Sequence, residues 1–469
     1  MSLRPTALAV ALLAATGAAQ AQQAPTVEQL AERLRVLEQR LGVPADTAPG
    51  EADGLAALDQ RLKAIERRLE LQAADAPKAA STSTLSVSAS KGVSLKSPAD
   101  EGVELKFRGL IQADGRSWID DEALPQNDGF LVRRIQPVLE GSYGKLLGFR
   151  LMPELAGDSA SIADAYIDLK FDPRATLRVG KFKAPIGLER LQPSGGTTFI
   201  ELGLPSELAP GRDLGVQLQG EVDGGALAYA VGAFNGAPDG RDGASANADD
   251  RIEYAARVFW EPFRGTDGAA SGLGIGLAAS TGDAEGLGNA ALPRYRTPGQ
   301  VQFFGYRGAV LADGERRRLA PQAYWYHGPV GLLGEYIESS QQLRAGTTAA
   351  RIDNRAWQLA ASWVLTGEDA SYRGVVKPDR PFTGDGFGAF ELAARVGALN
   401  IDEDAFPLFA DPATAARRAR AWTVGLNWYL TQNLKLVTNY SEAAFDGGAA
   451  AGADRETEKT LFTRAQVAF

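Results

Sequence analysis

The chain has 469 residues, and its 49 Lys plus Arg against 58 Asp plus Glu give a formal charge of -9. That balance argues against a protein that coats nucleic acid, while leaving room for a local basic channel. Cys is absent and His327 is the single His, so Cys/His zinc sites, thiol catalysis, disulfide bonds and His-based triads are excluded.

The chain opens with Arg4, an apolar run from Ala7 to Ala15, and Ala19-Gln20-Ala21. This pattern reads as a cleaved export signal over residues 1–21; the apolar run is far short of the roughly 20 residues that a spanning helix needs. Residues 22–75 follow with Val27, Leu30, Leu34, Leu37 and Leu41, then Leu55, Leu58, Leu62, Ile65 and Leu69 in the same a/d register. Pro44, Pro49 and Gly50 interrupt them. Each stretch is too short to be stable alone, so two readings stand: a helical hairpin or loosely ordered segment within one chain, or a short coiled coil between subunits. Residues 76–101 are rich in Ala and Ser and read as a flexible linker.

From residue 102 to 469 the period falls to 2. Asp164, Tyr166, Asp168 and Lys170 alternate with Ala163, Ala165, Ile167, Leu169 and Phe171. The same dyads recur around Trp357 to Leu365, Phe390 to Val396, Trp422 to Leu430 and Leu461 to Phe469. One face is apolar and the other charged, polar or small, strand after strand. Aromatic residues near strand ends (Phe171, Tyr254, Phe259, Trp260, Tyr324, Trp325, Tyr326, Trp357, Trp363, Trp422, Trp428) suit interfacial girdles. Gly, at 53 residues, is about 11% against a usual value of about 7%. The expected fold is all-β, a transmembrane antiparallel β-barrel with a helical or coiled-coil N-terminal extension. At roughly 20 to 25 residues per strand, turns included, residues 102–469 make roughly 14 to 18 strands; the count should be even, and sixteen is the expectation. A barrel of that size encloses water.

The segment from about 184 to 212 has Pro at 185, 193, 205 and 210 and no clean alternation. Phe199, Ile200, Leu202 and Leu204 want a surface, which the loop can find by folding inward onto the barrel wall. Lys181, Lys183, Arg190 and Arg212 are then candidates for a basic constriction that binds solute. An external loop making subunit contacts is the other reading. Further basic residues stand at Arg133-Arg134, Arg294, Arg296, Arg307, Arg316-Arg317-Arg318, Arg395 and Arg417-Arg418-Arg420. Alternation lets at most one of Arg133 and Arg134 line the pore. Confined cations raise the local anion concentration, although Asp249-Asp250 and Asp402-Glu403-Asp404 oppose this.

Residues 180–216, GKFKAPIGLERLQPSGGTTFIELGLPSELAPGRDLGV, resemble the most distinctive stretch of the phosphate-selective porin O and P family. Gly334-Glu335-Tyr336, Leu365 to Glu368, Gly388 to Arg395, Gly425 to Leu430 and the closing Arg464 to Phe469 agree in order and spacing. The resemblance implies a sixteen-stranded outer-membrane homotrimer with one channel per subunit. It also implies passive diffusion of phosphate, polyphosphate or other small anions past Lys181, Lys183 and Arg190. Arg212 would stand where the loop returns to the wall, paired with Asp213 or Glu189. Phe469 resembles the signal read by the assembly machinery. The N-terminal heptads would project into the periplasm and could touch the cell wall.

Two other functions compete: a general or acid-preferring porin without phosphate selectivity, and a structural outer-membrane protein with a cell-wall-facing stalk. Catalysis is not expected, because pairs such as Asp164 with Asp168 sit on one strand face, where they would line a lumen or bind water. No cofactor, no metal and no nucleic acid is implied.

Overall fold

A computed structural model describes Arg67 and residues 83–88, 92–98 and 102–469, the last without 121, 123, 124 and 376. The expected signal over 1–21, the heptad segment 22–75 apart from Arg67, and half of the 76–101 linker lie outside the described residues. The 102–469 region is a closed antiparallel barrel. A hairpin, β1 (Thr84–Ser88) and β2 (Gly92–Lys96), precedes it.

Nine barrel strands follow: β3 (Val103–Ile119), β4 (Gly129–Tyr143), β5 (Leu147–Glu154), β6 (Ser161–Asp172), β7 (Ala175–Lys183), β8 (Arg212–Val222), β9 (Leu227–Phe234), β10 (Glu253–Trp260) and β11 (Leu273–Leu287). A small hairpin, β12 (Arg294–Arg296) and β13 (Gln302–Gly305), lies in the next loop. Seven more strands complete the wall: β14 (Leu311–His327), β15 (Val330–Ala345), β16 (Thr348–Val364), β17 (Ala389–Asn400), β18 (Ala416–Tyr429), β19 (Leu434–Gly447) and β20 (Glu458–Ala468). Each pairs with its neighbour, and β20 closes on β3 through Ala468↔Leu110 to Lys459↔Ile119. The barrel has sixteen strands.

Alternation decides which side each residue faces. On β16, Trp357, Leu359 and Trp363 point outward, whereas Asn354 and Gln358 are buried inside. On β18, Trp422, Val424 and Leu426 face out, with Thr423 and Asn427 inside. An apolar exterior costs nothing against lipid, and the backbone is satisfied because the closed sheet has no edge.

The aromatic residues divide in two. Trp260, Trp357, Trp363 and Trp422 are exposed. Phe259, Tyr324 and Tyr326, expected in a girdle, face inward instead: Phe259 is buried, and Tyr324 packs on it at 4.9 Å and on Tyr326 at 5.4 Å. A residue near a strand end is not thereby on the outer face.

The short turns 144–146, 173–174, 223–226, 328–329 and 430–433 share one end with the C-terminus of β20. By the barrel rule this end is periplasmic, and the long connections 184–211, 235–252, 288–310 and 401–415 are at the outer end. Some connections break the pattern: the outer turn 346–347 is short, and the periplasmic connections 261–272 and, above all, 365–388 are long.

Candidate functional site

The connection 184–211 leaves β7 and folds onto the inner wall. Its neck is closed by the Ala184 N–H donating to the Gly211 carbonyl at 3.4 Å. Gly187, at φ 84°, turns the chain into α1 (Leu188–Leu191), a single helical turn. The Leu188 N–H donates to Glu335 of β15 at 2.6 Å, and Glu189 pairs with Arg395 of β17 at 2.9 Å.

The loop then crosses the wall from strand to strand. Gln112 Nε2 donates to the Ser194 carbonyl at 3.2 Å, and Gln466 Nε2 to the Gly195 carbonyl at 2.9 Å. Lys435 Nζ reaches the Thr197 carbonyl at 2.8 Å, and the Ile200 N–H donates to Asn439 Oδ1 at 2.7 Å. Phe199, Ile200 and Leu204 are buried beneath this polar lacing. A Cβ at Gly203 would meet Gln358 Oε1 at 1.8 Å, so the loop backbone lies close against the Gln358 side chain.

Glu201 is the strongest anchor. It accepts from Arg116 at 2.5 Å and from Arg133 at 2.8 Å, with Arg464 at 3.8 Å. Arg464 also binds Asp114 at 2.6 Å. Burial opposes the charge of Glu201, but the three arginines outweigh it and hold the carboxyl well below the usual range.

Arg133 and Arg134 both reach the interior, which corrects the expectation from alternation. A β-bulge lets Gln112 pair with Arg134 and Ala113 with Val132, leaving Arg133 as the extra residue. Arg134 Nη1 then donates to Gln112 Oε1 at 2.7 Å while Arg133 takes Glu201.

Because the loop covers the wall from β15 through β20 to β4, open space remains along β3 to β10. One cavity of about 810 Å³ is bordered by Arg108, Gln136, Arg150, Asp164, Arg178, Lys183, Arg212, Arg373 and Lys435. A second, of about 490 Å³, shares Arg150, Asp164, Tyr166, Arg178 and Lys183 and adds Arg257. Its cations fall into two classes. Arg108, Arg150, Arg178 and Arg212 share the carboxylates of Glu140, Asp164 and Asp168. Among the described residues, Lys183, Lys435 and Arg257 bond to neutral oxygens, those of Gln192 at 2.6 Å, Thr197 at 2.8 Å and Gln322 at 3.1 Å, and Arg373 makes no ion pair. Among the described residues bordering these two cavities, cations therefore outnumber the side-chain carboxylates, Asp164 and Glu221. Arg178 also lies over the Tyr166 ring at 3.8 Å.

The four residues expected at a constriction separate. Lys183 and Arg212 border the open cavity. Arg212 pairs with Asp164 at 2.7 Å rather than with Asp213 or Glu189. Asp213 instead accepts the N–H groups of Gly236 and Ala237, each at 2.7 Å. Arg190 turns into the loop and donates to the Ser206 carbonyl. Lys181 reaches the Gly243 carbonyl at 3.1 Å and does not border either cavity. Asp164 and Asp168 are ion-paired rather than free to bind water. Arg150, Arg178, Arg257 and Lys435 were missed by sequence reasoning because each is a lone cation. Their signal was phase: Arg150 lies between Phe149 and Leu151, and Lys435 between Leu434 and Leu436.

Two further features border the constriction. Glu207, in the turn Leu204–Glu207, accepts from the Arg296 N–H at 2.8 Å. Burial pushes it up to about 7, against the pull of Arg190, Arg296 and Arg241. From the periplasmic side, Tyr372 donates to the Leu188 carbonyl, and Gln192 Nε2 donates to the Tyr372 carbonyl at 2.6 Å. Phe469 sits at the seam, exchanging backbone bonds with Gly109 at 2.9 and 3.0 Å.

Comparisons with known proteins agree with this architecture. A family model described as "Phosphate-selective porin O and P" matches residues 103–469. An uncharacterized protein of Caulobacter vibrioides is 24% identical over 445 residues, 90% of this chain and 84% of that protein. Porin O of Pseudomonas aeruginosa is 22% identical over 388 residues, 74% of this chain and 84% of that protein. Among solved structures, the outer membrane channel DcaP of Acinetobacter baumannii matches with a TM-score of 0.52 at 11% identity, covering 78% of this chain and 98% of that one. That likeness speaks to the fold.

Proposed function

The chain belongs to the phosphate-selective porin O and P family, and from that premise we propose that it passes small anions in preference to cations. As an outer-membrane porin it is a diffusion channel for small solutes, with a transport rather than an enzymatic role. The observation that carries the finer reading is the set of cations on the borders of the two cavities, Lys183, Lys435 and Arg257, beyond those paired with Glu140, Asp164 and Asp168.

Passage is passive. An anion gives up part of its hydration where guanidinium and ammonium groups replace it, and several modest sites in succession let it leave again. Lys183 and Arg212 are the proposed solute contacts at the narrow part; Arg190 supports them from within the loop. Phosphate or polyphosphate is the solute that the family membership favours, since the planar guanidinium fork matches its oxygens. Assembly as a homotrimer and recognition of Phe469 as an assembly signal belong to the same proposal.

A general porin without phosphate selectivity is the competing reading. It is favoured by Asp164, which neutralises both Arg150 and Arg212 at the narrow part. Reversal potentials of single channels in a KCl gradient, with phosphate titrated against the chloride current, separate the two. Anion preference with block by phosphate supports the proposal. Anion preference without block supports the general channel, and cation preference or no preference overturns the basic-lumen reading.

A further inference from the structure

The 365–388 connection is long at an end where the other turns are mostly short, and its two halves go to opposite sides of the wall. The inner half enters the lumen. Tyr372 stacks on Tyr324 at 5.2 Å and is hydrogen-bonded to Leu188 and Gln192 of the constriction loop. A Cβ at Gly196 would meet the Arg373 carbonyl at 2.6 Å, so the two loops are in close backbone contact.

The outer half lies on the exterior. Phe382 and Phe387 are 51% and 45% exposed, and Arg380 lies over the Phe387 ring at 5.3 Å. Trp428 of β18 holds this half in place: Phe382 meets its ring edge-on at 5.3 Å, and its indole N–H donates to the Phe387 carbonyl at 2.7 Å. The Phe382 N–H donates to the Leu430 carbonyl at 2.6 Å.

We infer that residues 365–388 form a strap whose aromatic outer half seats in the headgroup region of the periplasmic leaflet, and whose inner half thereby steadies the constriction loop. The commitment to phospholipid rests on continuity. The patch continues the outer face of β18 through Trp428 and pairs aromatic rings with a cation as interfacial anchors do. Porins in general need no such link, because a closed barrel already satisfies its own backbone. Here the link is short: β17 follows the outer half directly, and Glu368 bonds both Thr366 and the Asp379 N–H, tying the halves together. The inference does not depend on which ions the channel prefers.

The chain has no Cys, so single-cysteine labels report cleanly. Phe382→Cys and Phe387→Cys, each carrying a bimane in the full-length protein in phosphatidylcholine vesicles, should be quenched by doxyl-labelled phosphatidylcholine more than by iodide. An Asp223→Cys label in the 223–226 turn serves as the water-exposed reference. Stronger quenching by iodide, as at the reference, overturns the leaflet contact and points to an aqueous or protein partner. In planar bilayers the Phe382→Ser/Phe387→Ser variant should keep its mean conductance but show several-fold more open-channel current noise. Folding is checked by heat-modifiable migration. Unchanged noise in folded channels overturns the coupling.

Discussion

Lys181 and Lys183 stand two positions apart in β7, yet only Lys183, the last residue before the loop neck, follows the chain inward. Its amine donates to the Gln192 carbonyl and, among the described residues, forms no ion pair. Lys183→Ala should lower the anion-to-cation permeability ratio by roughly two- to five-fold, the scale of one charge in a water-lined channel. Lys181→Ala should leave it unchanged; reversal potentials check both.

Glu207 offers a pH dependence at the same scale. Its carboxyl is pushed up to about 7, so it is protonated below that pH and adds negative charge near Arg190, Arg241 and Arg296 above it. Anion preference should therefore be higher at pH 6 than at pH 8, and Glu207→Gln should flatten the difference. Linkage has the same origin. A carboxyl raised in the folded state favours the protein when protonated, so stability falls as pH rises from the usual carboxylate range to about 7.

The constriction loop is one element held by many donors, and its weak point is where charge is concentrated. Removing the carboxylate of Glu201 leaves Arg133 without its ion-pair partner and makes Arg116 and Arg464 share Asp114 alone, a loss on the scale of about 3–5 kcal/mol. Glu201→Gln should lower the unfolding temperature in heat-modifiable migration and raise single-channel conductance as the loop tip detaches. Because the carboxyl is held below its usual range, its contribution is present above that range and is lost only as pH falls through its depressed value. The native loop should thus stay anchored in mildly acidic solution. The bulge in β4 matters here too. In an unbulged strand, alternation would put Arg133 on the face opposite Arg134, and Glu201 would lose its 2.8 Å partner.

For the whole molecule, barrel and N-terminal segment have separable roles. The closed sixteen-stranded wall and its loop define the channel, so deletion of residues 22–75 should leave single-channel conductance unchanged. Recovery of trimers from that variant, measured by cross-linking, tests the heptads. Loss of trimers would favour a coiled coil between subunits, and intact trimers a helical hairpin.

Much of the barrel could be read in the amino-acid order because strand geometry is local: a period of 2 fixes which residues face lipid and which face inward. The alternation of Asp164, Tyr166, Asp168 and Lys170 with Ile167 and Leu169 needed no knowledge of any partner. The apolar Phe199, Ile200 and Leu204 were a legible reason for the 184–211 connection to seek a surface. The charge balance of the lumen was not legible, because it depends on contacts between distant strands. Asp114 meets Arg464 across 350 residues, and Asp164 takes Arg212 across 48. A bulge reversed the expectation for Arg133, and inward packing against Tyr372 took Tyr324 out of the girdle. Local periodicity determined the sheet and its two faces; only the closed tertiary structure decided which cations remain unneutralised, since that is set by register and by where the loops come to rest.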